Sequence, residues 1–221
     1  MGRVHLGTCS WAERTMIEAW YPPRVSTPAD RLRYYAAHFD TVEADAPFYA
    51  IPDRRVVENW AKRTPEGFTF HVKAFGMMTQ HAVDERALHP ELREYPHEVE
   101  RGRVKRPSQE MVDLAFDLFC ESIDPLVDAG KLGGVLMQFP PFFTALDDAL
   151  FEDNLAYIEY ARSRLGKRHM LVEFRHPSWV AEDRVHETLR FLADRDITYV
   201  GVDAPQFPTH TTMPPLVAAT S

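Results

Sequence analysis

Six ionisable residues carry the chemistry that this chain could perform: Glu43, Lys73, Glu173, Arg175, His176 and Asp203. The carboxylates of Glu43, Glu173 and Asp203 can give or take a proton. Together they also offer the oxygen ligands that a divalent metal prefers, with His176 or His81 adding a nitrogen. Lys73 and Arg175 supply fixed positive charge for an anionic substrate, or for negative charge that develops during reaction. A Schiff-base lysine at Lys73 and a glycosidase pair made of Glu43 and Glu173 are further options that spacing leaves open. The bland reading of the same charges is an ion-pair network over the core, because buried charges must neutralise one another. No H-x-H or H-E-x-x-H spacing occurs, so a bound divalent metal is one option among several. Neither G-x-G-x-x-G nor G-x-x-x-x-G-K-[ST] occurs, and no nucleotide cofactor is expected.

A second set has side chains suited to holding a ligand: Ser10, Trp11, Tyr49, His81, Gln138 and Trp179. Their aromatic members, with Tyr21 and Phe48, could stack on sugar rings or bases, or could simply fill space between loops.

The elements that must position these residues alternate between strand and helix. Val4–Cys9, Thr41–Asp45, Gly67–Lys73, Leu132–Phe139, His169–Arg175 and Ile197–Asp203 read as six strands. Thr27-Pro28-Ala29-Asp30 opens a helix with Leu32, Tyr35, Ala36 and Phe39 on its inner face. Asp53 opens another, with Val56, Val57, Trp60 and Ala61 sharing a face. Ser108 begins a long helix ended by Gly130, with Pro125 expected to break its last turn, and later helices open near Thr144 and Ser178. Residues 76–106 are rich in charge, proline and histidine and read as an inserted loop, while the proline-rich tail 204–221 shows no seventh strand. Strands separated by helices, without hairpin signals between them, predict an α/β fold with a parallel sheet. Alternation along each strand then sends Glu43, His71, Lys73, Gln138, Glu173, Arg175 and Asp203 to the inner face. They lie near the carboxyl ends of the strands, where parallel α/β folds assemble active sites.

The motifs Gly7-Thr8-x-Ser10-Trp11, Tyr21-Pro22, Val42-Glu43, Phe48-Tyr49, Phe70-x-x-Lys73 and Thr79-x-His81 occur in this order. Lys131-Leu132-Gly133-Gly134, Gln138-Phe139-Pro140-Pro141, Glu173-Phe174-Arg175-His176-Pro177-Ser178-Trp179 and Asp203 follow. In order and spacing the set resembles the YecE-like family, a domain-of-unknown-function family. The resemblance implies a single TIM-type (β/α) barrel domain over residues 1–221, with about six of the eight β/α units present and the C-terminal end truncated. No catalytic residue carries over, since the family has no assigned activity.

A formal net charge of −8 disfavours nucleic acid as a partner without excluding it. Two cysteines, Cys9 and Cys120, suggest no disulfide framework, and no run reaches the length of a membrane span. A cytoplasmic protein is expected. Two functional classes stay open. The first is an enzyme using acid–base or metal-assisted chemistry on a polar or anionic small molecule, phosphodiester hydrolysis of nucleic acid being a lesser variant. The second is a non-catalytic binding or regulatory protein.

Overall fold

The structure, a computed structural model, describes residues 3–203 and Pro214. Five parallel strands form the central sheet: β1 (Thr41–Ala44), β2 (Thr69–Lys73), β5 (Leu132–Gln138), β6 (Met170–Glu173) and β7 (Ile197–Tyr199), in that spatial order. Among the described residues the sheet is open, so the expected barrel is seen only as a mixed α/β fold with one parallel sheet. The expected first strand, Val4–Cys9, is not one. Its contact with β1 is the bond from Glu43 N–H to the Thr8 carbonyl at 3.0 Å, while the Thr8 N–H turns to the Tyr35 hydroxyl at 2.7 Å. Gly7 lies so close to β1 that a Cβ there would sit 2.1 Å from the Thr41 carbonyl oxygen. The expectation of a proline-rich tail without a strand falls on residues outside those described, Pro214 excepted.

Helices α2 (Pro28–Ala36), α3 (Arg54–Arg63), α4 (Gln109–Asp128), α5 (Asp148–Leu165) and α6 (Val185–Ala193) lie between or beside the strands, after a short α1 (Arg14–Ala19). The side chains of Thr27, Asp53 and Ser108 accept the first-turn N–H groups of α2, α3 and α4, as their positions predict. Four expectations fail. Helix α5 is capped by Asp147 rather than Thr144, and Ser178 lies in a 3-10 turn ahead of α6. Pro125 does not break α4, which runs on to Asp128; the missing N–H lies in the last turn, where Ala129 N–H still reaches the Pro125 carbonyl at 3.2 Å. Val56 is exposed, leaving Val57 and Trp60 as the buried face of α3.

One face of the sheet is wholly apolar. Val42, Ala44, Phe70, Val72, Val135, Met137, Met170 and Val172 join Leu32, Trp60, Phe119, Ile158 and Leu192 from the helices in one core. Each such side chain contributes about 1.5–3 kcal/mol on burial. The opposite face carries Glu43, His71, Lys73, Gln138 and Glu173, in the alternation read from the sequence.

Residues 76–106 are more ordered than an inserted loop of few apolar anchors. Met77, Met78, Val83, Leu88, Leu92 and Val104 are buried in the main core. The segment also holds a hairpin, β3 (Glu98–Glu100) with β4 (Arg103–Lys105), turned by Arg101 and Gly102 with both φ angles positive.

Candidate functional site

The carboxyl end of β1 sets Glu43 on the polar face and passes directly into Asp45; the end of β2 sets Lys73 beside them. Lys73 Nζ donates to Asp45 Oδ1 at 2.9 Å, and its side chain is only 12% exposed. The same ammonium lies 4.8 Å from the centre of the Phe48 ring, so an acid and an aromatic face together fix it. At the ends of β5 and β6, which run in register, Gln138 Nε2 donates to Glu173 Oε1 at 2.9 Å. Arg175 Nε forms an ion pair with that same oxygen. The Glu173 side chain is 7% exposed and is thus neutralised where it is buried.

Glu43 differs. Among the described residues no cation lies within ion-pair distance of it, and its contact is the Cys9 thiol, Sγ to Oε2 at 3.9 Å. Burial pushes its carboxyl above the ordinary carboxylate value, against the pull of Lys73 and with reinforcement from Glu173 and Asp45. Burial and the nearby carboxylates raise the Cys9 thiol as well.

His81 closes the cluster from the 76–106 segment. Burial, with Lys73 and Arg175, pushes its imidazole down to about 4, so it is neutral at physiological pH. Its Nδ1 lies 2.9 Å from the Thr79 hydroxyl, which itself donates to the Gly76 carbonyl at 3.1 Å. That chain assigns the proton to Nδ1 and leaves Nε2 as an acceptor. The ring meets the edge of Phe48, and Phe48 meets Tyr49, whose 64% exposure offers an aromatic surface at the rim.

Five of the expected site residues take their contacts outside these pairs. His176 caps the 3-10 turn Pro177–Val180: its Nδ1 is 2.8 Å from the Ser178 hydroxyl and accepts from the Ser178 N–H at 3.2 Å. Trp179 is fully buried, its Nε1 donating to the Phe143 carbonyl at 2.8 Å and its ring stacked on Phe174 at 4.1 Å, so no face is left for a ligand. Trp11 packs edge-on against Trp60 and Phe70. Asp203 is exposed beyond the end of β7, because the strand stops at Tyr199. Ser10 accepts from Ala12 N–H at 3.0 Å and shapes the turn after Cys9.

A divalent metal does not fit this donor set. Among the described residues no three of His, Cys, Asp and Glu converge on one point, since Asp45 and Glu173 turn to cations. Phe48, one of the aromatics expected to stack on a ligand or fill space, joins the cluster, and Asp45 and Cys9 complete it without having been named as site residues; Asp45 was legible, since it shares the face of Glu43 one alternation further on.

Residues 5–221 match the model of the family described as protein of unknown function DUF72. Over 203 residues the chain is 32% identical to UPF0759 protein YunF of Bacillus subtilis, covering 92% of this chain and 61% of that protein. It is 24% identical over 212 residues to UPF0759 protein YecE of Escherichia coli K12, covering 96% and 62%. The chain therefore spans less than two thirds of the length of these relatives. Among solved structures, a DUF72 family protein from Enterococcus faecalis is 26% identical with a TM-score of 0.74, covering 99% of this chain and 67% of that one. A DUF72 family protein from Thermotoga maritima is 27% identical with a TM-score of 0.69, covering 100% and 72%. The ordered motifs and the match over nearly the whole chain agree: this protein belongs to the DUF72 family, the YecE-like family of unknown function.

Proposed function

We propose that the strand-end cluster is an acid–base site for a polar, anionic small molecule, with Glu43 as the proton-transferring group. The observation that carries this reading is the contrast within one face. Asp45 and Glu173 each hold a cation, while Glu43 is half-buried, without a cation at ion-pair distance among the described residues, and its carboxyl is raised by burial. Lys73 and Arg175 supply the positive field for an anionic substrate, and His81 Nε2 supplies an acceptor. The commitment of Glu173 to Arg175 and Gln138 weighs against a two-carboxylate glycosidase pair.

The sheet reads as one arc of a β/α barrel. Its strands follow one another in chain order with no reversal, ignoring the hairpin, as in a singly wound sheet rather than a doubly wound one. The Gly7–Cys9 segment beside β1 would hold the position before it. No helix among the described residues is long and apolar enough to cross a membrane. Two unpaired thiols suit the cytoplasm, and the −8 charge favours a small ligand over nucleic acid.

The test is a panel of esters, phosphoesters and sugar phosphates assayed with the wild-type chain and with Glu43→Gln. A turnover that falls about a hundredfold or more in a folded Glu43→Gln protein is expected. Equal turnover in both removes Glu43 from the chemistry, and binding without turnover of any compound favours the non-catalytic receptor instead.

A further inference from the structure

Beside the cluster, and sharing His81 with it, lies a cavity of about 440 Å³ between the 76–106 segment, the start of α4 and the loop after β5. Its size falls in the range of small-molecule sites. Its charge is the reverse of the chain's. In a protein of net charge −8 its lining holds Lys105 and Arg106 and no carboxylate. Lys105 is loosely paired with Glu100 at 3.8 Å, outside the lining, and Arg106 has no ion pair among the described residues. Gln80 adds a polar side chain. Gln80 and Arg106 are also two of the four non-glycine residues with left-handed backbone among those described, with φ of 63° and 47°. Such conformations cost roughly 1 kcal/mol or more and gather at functional sites.

Beyond His81 and Gln109, whose amide donates to Asp113 Oδ1 at 3.2 Å, the rest of the wall is apolar. The hydroxyl of Tyr157 is spent on the Met78 carbonyl at 2.9 Å, so Tyr157 presents ring rather than donor. Phe142 is 68% exposed at the mouth, an unusual position for a phenyl group with nothing packed over it.

We infer that this cavity is a specificity subsite: it takes an oxyanion carried on an aromatic or apolar body, with Lys105 and Arg106 holding the oxyanion and Phe142 the body. His81, on the wall shared with the strand-end cluster, places the reacting end of the same molecule toward Glu43. The inference rests on the acid–base reading only for this last point; the anion site itself stands on the cavity.

Phenyl phosphate and inorganic phosphate are the probes, titrated by ligand-observed NMR at low ionic strength into the wild-type chain, Lys105→Ala with Arg106→Ala, Phe142→Ala and Lys73→Met. All substituted positions but Lys73 are exposed, and thermal melts confirm that each variant folds. The double substitution should weaken both probes at least about tenfold. Phe142→Ala should weaken phenyl phosphate about threefold and leave inorganic phosphate unchanged, and Lys73→Met should weaken either probe by less than the double substitution does. The inference is overturned if the wild-type chain binds neither probe. It is equally overturned if Lys73→Met abolishes binding while the double substitution does not. That second result would put the anion in the strand-end cluster and leave the proposed function standing.

Discussion

At the amino-terminal edge of the sheet, Lys131 Nζ donates to the Ala61 and Thr64 carbonyls at 2.6 Å each and to the Thr64 hydroxyl at 3.1 Å, closing the end of α3. At the carboxyl-terminal edge, Lys73 Nζ reaches one carboxylate and lies over one ring. The pattern extends beyond the two lysines. Near the amino edge, Arg168 is tied to Asp124 and to the Cys120 and Leu165 carbonyls, His169 Nε2 lies 2.8 Å from the Thr198 hydroxyl, and Thr41 donates to the Thr69 carbonyl at 2.9 Å. Polar groups there satisfy backbone and hold elements together. At the carboxyl edge they pair with each other across strands and, among the described residues, leave Glu43 without a cation at ion-pair distance. Structural bonding occupies one end of the sheet and the ligand chemistry proposed above lies at the other, the division seen in β/α barrels.

The sharpest challenge to that division is Trp179, which lies at the carboxyl edge but belongs to the core. Trp179→Ala should lower unfolding free energy by about 3–5 kcal/mol in chemical denaturation, as for a large aromatic removed from a packed interior. A stable variant that had lost only ligand binding would return Trp179 to the site. At the amino edge, Lys131→Met should cost about 2 kcal/mol, because it strips the donor from two carbonyls and a hydroxyl. A neutral result would mean that water serves the end of α3 equally well. Between the edges, Gly133→Ala should cost about 1–3 kcal/mol, since its Cβ would sit 2.5 Å from Thr69 Cγ2 and 2.6 Å from His71 Cε1. His71→Ala in the same chain should recover part of that loss, and no recovery would put the strain on Thr69 alone.

Much of this was readable before any coordinates. Alternation put Glu43, Lys73, Gln138 and Glu173 on one face, and the capping residues Thr27, Asp53 and Ser108 opened the helices that the structure has. Pairing within the face was not readable, because alternation gives direction but not which neighbour a long side chain reaches. Hence Asp45 was passed over and a metal was considered. Asp203 and His176 were placed in the site because they follow strands, yet β7 ends early and the His176 ring turns back on Ser178. Motif order marked Lys131 and Gly133 as firmly as Lys73, since motif order does not separate a residue that caps a helix from one that meets a ligand. Residues 76–106 looked solvated because their apolar anchors are spaced irregularly by 3-10 turns, which neither helical nor strand periodicity detects.

The smallest effect in free energy bears most directly on function. The Glu43 carboxyl is raised in the folded state by burial and by Glu173 and Asp45, so folding favours its protonated form. A group shifted in this direction contributes most below the ordinary carboxylate value, and that contribution is lost as pH rises through the folded value. At neutral pH the ionised side chain is therefore a net cost, and Glu43→Gln, which keeps the shape and removes the charge, should raise the denaturant midpoint. Near pH 4, about the unfolded carboxylate value, the two proteins should differ little, and the gap should open as the pH is taken to about 7. A residue kept for stability would behave in the opposite way, as Lys131 should, and lose stability on substitution. If Glu43→Gln is less stable than wild type at neutral pH, the Glu43 carboxylate is satisfied by a bond and the distinction between the two edges fails at the residue on which it most depends. If it is more stable, the fold is carrying an uncompensated charge at the edge assigned to ligand chemistry, which is the usual mark of a group retained for what it does to a substrate.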